Sequence, residues 1–116
     1  MKRMLVLAIA VCVVMLPCAA AEIEGVLVDK ACSAKAIKDG YAKAGAHTKD
    51  CALMDSCLES GFGVLTADNK YLLFDKEGTK KAAAALEASS KKDNLKVKVT
   101  GDMSGATIRV LTLRIL

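Results

Sequence analysis

Four side chains in this sequence could do chemistry together: Cys32, His47, Cys51 and Cys57. The stretch "AHTKDCALMDSC", Ala46 to Cys57, holds the only histidine and two of the five cysteines. His47 and Cys51 stand four residues apart, so one turn of helix would aim both at a single ion. Cys32 offers a third ligand, and Cys57 or Met54 a fourth. Three cysteines and one histidine are a structural zinc set. Thiolate, thioether and imidazole together also suit copper(I). No cysteines are spaced Cys-x-x-Cys, so there is no zinc knuckle and no thioredoxin-type pair, and the Cys-x-x-Cys-His signature of an attached haem is absent.

The N-terminus says which compartment these thiols meet. Lys2 and Arg3 precede an unbroken apolar run, Met4 to Leu16; Pro17 ends it, and Ala19 to Ala21 supply the small residues of a cleavage site. This is the pattern of a secretory signal peptide, expected over residues 1–21. The run is too short to span a bilayer, which takes about 20 residues. Contact with a membrane is expected only through this transient segment. Lipidation at Cys18 would need a small residue where Pro17 stands. Cleavage leaves residues 22–116 as one small domain, exported to the periplasm or beyond. Cys12 and Cys18 leave with the signal, and Cys32, Cys51 and Cys57 remain in an oxidising compartment where disulfides persist. With three thiols, one intramolecular bridge leaves one over.

The elements that must position these residues follow from the periodicity. "EIEGVLVD", Glu22 to Asp29, reads as a first strand. Asp29 is placed to cap a short helical turn through "KACSAKAIK". "GYAKAG", between Gly40 and Gly45, shows no regular pattern. A continuous helix is expected from Thr48, its N-cap, to Gly61, its C-terminal glycine. On that helix Cys51, Leu53, Met54, Cys57 and Leu58 share the core-facing arc, with Ala52 on the opposite side. Six residues of helix rise about 9 Å, and a disulfide needs Cα atoms within about 7 Å. The expected bridge therefore runs from Cys32 to Cys51 or Cys57, a staple worth about 3 kcal/mol in the chain-entropy account. "GVLTA" and "KYLLFD" form a hairpin about Asp68-Asn69. Thr79 to Lys92 is an alanine-rich helix with Thr79 as its cap and Ala82, Ala83 and Leu86 facing inward. "NLKVKVTG" alternates Leu95, Val97 and Val99 against lysines, and "ATIRVLTLRIL" closes the chain as a final strand. The sum is a β-rich α+β fold with two helices and five strands, expected as a small OB-like barrel or a sheet.

The mature chain resembles a group of small exported bacterial proteins of unknown function with an OB-like barrel. The resemblance rests on a first strand running into "DKAC", on a histidine and two cysteines ahead of a glycine and the central hairpin, and on the closing pair "VKVTGDMSGATIRV". It implies the barrel and brings no reaction with it.

Composition excludes more than it names. Loss of Lys2 and Arg3 lowers the formal charge from +4 to about +2. Only Tyr41, Phe62, Tyr71 and Phe74 are aromatic. Single-stranded nucleic acid is held by a basic groove with stacking aromatics, so no nucleic-acid partner is expected. Hydrolysis wants paired carboxylates or a Ser-His-Asp set. With one histidine and no nucleophile motif, the chain is read as non-enzymatic. Taken alone, His47 reads as a surface residue at a helix start, Met54 as core packing and Asp29 as a cap. The expectation is a periplasmic binding or accessory domain for an unknown small ligand or protein, stapled by one disulfide and needing no cofactor. The alternatives are a zinc or copper protein using Cys32, His47, Cys51 and Cys57, and a thiol redox protein.

Overall fold

The computed structural model describes residues 20–116; the signal-peptide expectation falls almost wholly outside them. The fold is α+β. A five-stranded mixed sheet is built from β1 (Ala21–Asp29), β2 (Phe62–Leu65), β3 (Tyr71–Phe74), β4 (Lys96–Ser104) and β5 (Thr107–Ile115). Around it lie α1 (Lys30–Asp39), α2 (Tyr41–Ala44), α3 (Lys49–Ala52), α4 (Asp55–Ser60) and α5 (Lys76–Ala88). Two helices were expected; of the five, α1 and α5 are the long ones.

The strands pair in the order β1-β2-β3-β5-β4, and β4 returns to β1, so the sheet closes on itself. All pairings are antiparallel except the short parallel contact of β3 with β5. β1 makes the closure possible. Residues 21–26 pair with β4, and residues 26–29 pair with β2. Gly25 sits at this change of partner. A Cβ there would meet the Leu65 carbonyl and lie 2.6 Å from Val64 Cγ2, so glycine allows the bend. A second irregularity in β4, at Thr100/Gly101, bends the long β4–β5 ribbon.

The interior is filled by alternating residues, as the sequence suggests: Leu27, Phe62, Val64, Phe74, Leu95, Val97, Val99 and Ile108, with Ala82 and Leu86 of α5 packed onto them. α5 begins earlier than expected. Asp75, not Thr79, caps it by accepting from the Gly78 amide at 2.9 Å, and Thr79 instead accepts from the Phe62 amide. The hairpin turns at Asn69, whose φ of 63° suits asparagine.

A second apolar layer lies outside the sheet. Val26, Val28 and Leu65 are buried there with Ala44, against Cys32, Ala36, Tyr41 and Tyr71. This is why β1 is apolar on both faces from Val26 onward: one face fills the barrel and the other seats α1 and α2. Cys32 packs against this outer layer, and His47 and Cys51 line a cleft with Cys32, Ala36 and Ala44 of it.

Replacing Gly25 with alanine should lower stability by about 1–3 kcal/mol, the range for overpacking a tight site. Urea unfolding of the purified protein measures this. An unchanged midpoint would mean that β1 bends without needing the glycine.

Candidate metal centre

The centre is assembled around Asp29, the last residue of β1 and the N-cap of α1. Its side chain is 0% exposed. Oδ2 accepts from the Cys32 amide at 3.0 Å, capping the helix as expected. Oδ1 lies 2.8 Å from His47 Nε2. The carboxylate thus joins the first helix to a loop 18 residues later. Among the described residues, no lysine or arginine pairs with it.

His47 is only 12% exposed. The expectation of a lone surface histidine is therefore corrected: the buried acceptor at Asp29 draws the ring inward. The loop that carries it is fixed from outside by backbone bonds. Asn94 donates to the Gly45 carbonyl at 2.7 Å, Lys49 donates to the Lys92 carbonyl at 2.8 Å, and His47 itself donates to Ala44 at 3.1 Å. A carboxylate only accepts, so Nε2 is the donor of this bond and Nδ1 is the ring nitrogen left over.

The expected continuous helix through both cysteines is also corrected. Thr48 caps it as predicted, accepting from the Cys51 amide. But α3 ends at Ala52, and Met54 takes an extended conformation with ψ 142° before α4 starts. Asp55 and Ser56 are poor helix-interior residues and good first-turn residues, so a fresh start there costs little. The break turns Ala52 inward to full burial and turns Met54 out, 56% exposed, reversing both assignments. Cys57 is buried, and Cys51 is half-buried at a cleft. The far end of α4 docks on the start of α1: Lys30 donates to the Gly61 carbonyl at 2.9 Å, and Ala31 donates to Ser60 Oγ at 3.1 Å. One turn before Ser60, Cys57 is thereby brought to Cys32.

The outcome, among the described residues, is two overlapping groups that could hold a metal ion. The ligand atoms of Cys32, His47 and Cys51 lie within 4.8 Å of one another, and so do those of Asp29, Cys32 and Cys57. Cys32 belongs to both. All four residues named by the sequence thus converge, but as an outer trio and an inner one, with Cys57 in the inner. Asp29 is the participant that sequence reasoning assigned only to capping; the signal that could have found it is a lone histidine with no other buried partner. The three thiols are free.

Burial, and then the charge of Asp29, push the Cys32 thiol up to about 12 from an ordinary 9.0. The same causes raise Cys57. Tyr71, whose hydroxyl donates to the Val28 carbonyl at 2.9 Å, is raised by burial and then by Asp29. These acids are held neutral by the fold. The contribution of Cys32 to stability is complete below its unfolded value of 9.0 and is lost as pH climbs toward about 12. The reduced, metal-free protein should therefore lose melting temperature steadily between about pH 9 and 12, and less steeply after Cys32→Ser. Thermal melts at constant salt give the slopes; equal slopes in the two proteins would remove Cys32 from the account.

Compared with known proteins, the chain matches no family model, no curated protein and no solved structure.

Proposed function

We propose that this chain is an exported, non-catalytic metal-binding domain on an OB-like barrel, with Cys32, His47 and Cys51 as protein ligands. The observation that carries the reading is the outer trio: two sulfurs and an imidazole nitrogen within 4.8 Å of one another. Ligand atoms on a tetrahedral zinc with bonds of about 2.0–2.3 Å stand somewhat closer than this, so the ion would draw the trio together modestly. Asp29 supports the reading from behind. A metal-binding histidine commonly gives its other ring N–H to a carboxylate, which sets the tautomer and raises the basicity of the ligand nitrogen. A cation beside His47 would also offset a buried carboxylate that has no lysine or arginine partner. The donor set suits zinc or copper(I). The pairing order, with a helix between β3 and β4, supports the OB-like description.

Thiol redox catalysis is less well supported. It wants a low-pKa thiol, whereas Cys32 is pushed up to about 12 and Cys57 is also raised.

Zinc at a hundred times its dissociation constant should stabilise the reduced protein by about 2.7 kcal/mol. Calorimetric titration should give one ion per chain. His47→Ala or Cys51→Ser should weaken binding at least about tenfold, and Asp29→Asn about tenfold or more through the orientation of His47. Cys57→Ser should bind as the wild type does. Stoichiometric binding that survives loss of both His47 and Cys51 would defeat the assignment.

A second reading is a disulfide from Cys32: the three thiols stand free, and the Cys32 sulfur lies within 4.8 Å of that of Cys51 and of Cys57, so a bridge to either would need a closer approach. Protein isolated without reductant should then show a two-proton mass deficit and one alkylatable thiol. Three alkylatable thiols would sink the staple.

A further inference from the structure

The two sulfurs of the outer trio stand as a pair that solvent can reach. Cys32 and Cys51 form part of the wall of a cleft of about 280 Å³, and both are half-buried. Cys57 is buried, is not in that wall, and lies with Asp29 on the inner side of Cys32. A reagent entering the cleft therefore meets Cys32 and Cys51 and not Cys57. The two sulfurs lie within 4.8 Å of each other. A disulfide bond is about 2.05 Å long, so the pair has less than about 3 Å to close. Cys51 rides on α3, four residues that Met54 ends with an extended conformation, a helix too short to be rigid by itself. His47 is held from behind by Asp29 and needs neither sulfur to keep its place.

From this geometry we infer that the site is a redox switch: a small organic disulfide oxidises Cys32 and Cys51 to a bridge and expels the ion. The switch rests on the metal-binding reading. Ion and bridge exclude each other, because each claims the same two sulfurs. In the loaded site both sulfurs are thiolates, the form that attacks a disulfide. The Cys51 sulfur attacks one sulfur of the organic disulfide, which forms a mixed disulfide and releases one thiolate. The Cys32 sulfur then attacks the Cys51 sulfur, which forms the bridge and releases the second thiolate. Two protein thiolates thus lose two electrons, and the organic disulfide gains them as it becomes two thiolates. His47 alone is left as a ligand, whereas zinc sites in proteins are built on three or four. Cys57 takes no part and stays a thiol, beside Asp29.

The reduced full chain is loaded with one equivalent of zinc and treated with bis(2-hydroxyethyl) disulfide, which is small and uncharged. A chromogenic indicator follows the zinc, and mass spectrometry after alkylation identifies the bridge. Zinc release should match bridge formation one for one. Peptide mapping should place the bridge between Cys32 and Cys51, with Cys57 the one thiol alkylated after denaturation. The oxidised chain should bind zinc at least about a hundredfold more weakly, two of its three ligands being lost, and a phosphine reductant should restore binding. Cys57→Ser should release zinc at the wild-type rate. Zinc still held by a chain that carries the Cys32–Cys51 bridge, a bridge mapped to Cys32 and Cys57, or release that slows in Cys57→Ser would overturn the switch while leaving the metal site standing. So would a loaded chain that keeps its zinc and three alkylatable thiols throughout. A chain that never binds zinc, bridged or not, would remove the metal reading and the switch together.

Discussion

Burial of the Asp29 carboxylate is the constraint on which the rest of this centre depends. A carboxylate out of water must be satisfied by donors, because leaving it unpaired costs several kcal/mol. Its position dictates which donors can reach it. As the last residue of β1 it is held by the ladder to Phe62, and as the cap of α1 it already takes one backbone N–H. The remaining acceptor capacity faces the His47 loop and the thiols of Cys32 and Cys57. The barrel, the first helix, the histidine loop and α4 are thus brought together by one side chain.

That one group also explains the electrostatic character of its neighbours. Cys32, Cys57 and Tyr71 are all acids, all sheltered from water, and all raised partly by Asp29. Around a buried anion, further anions are suppressed and a cation is favoured. A metal ion would reverse the balance: Cys32 and Cys51 would hold it as thiolates and release their protons. Without one, Asp29 and burial disfavour the thiolates of Cys32 and Cys57.

Much of the fold was legible from periodicity. Leu95, Val97 and Val99 alternate with lysines and all point inward, and the Asp68-Asn69 turn lies where the apolar runs part. What escaped was tertiary in origin. A period of 3.6 runs on through Leu53 and Met54, so the pattern alone shows no break; the break is set by the docking of Ser60 and Gly61 on the start of α1. Likewise Asp29 carries a good local signal as a cap, and that signal hid its second partner eighteen residues away. The four metal-candidate residues were visible as types. Their division into an outer and an inner group was not, because it depends on that same break.

The break has a thermodynamic consequence. α3 has four residues and α4 has six, far below the length at which a helix persists alone. Both are held by contacts with their surroundings, such as the Lys49 amide on the Lys92 carbonyl and the Lys49 ammonium on the Ser89 carbonyl. The barrel is a closed ladder of hydrogen bonds around a continuous core, whereas the layer outside it is a set of short pieces. Local opening should begin in such pieces and not in the ladder. An ion on Cys32, His47 and Cys51 would tie α1, the loop and α3 to one another, and its binding energy would be spent on ordering that layer. The barrel supplies the fixed point, Asp29, against which α1, the His47 loop and α4 are assembled.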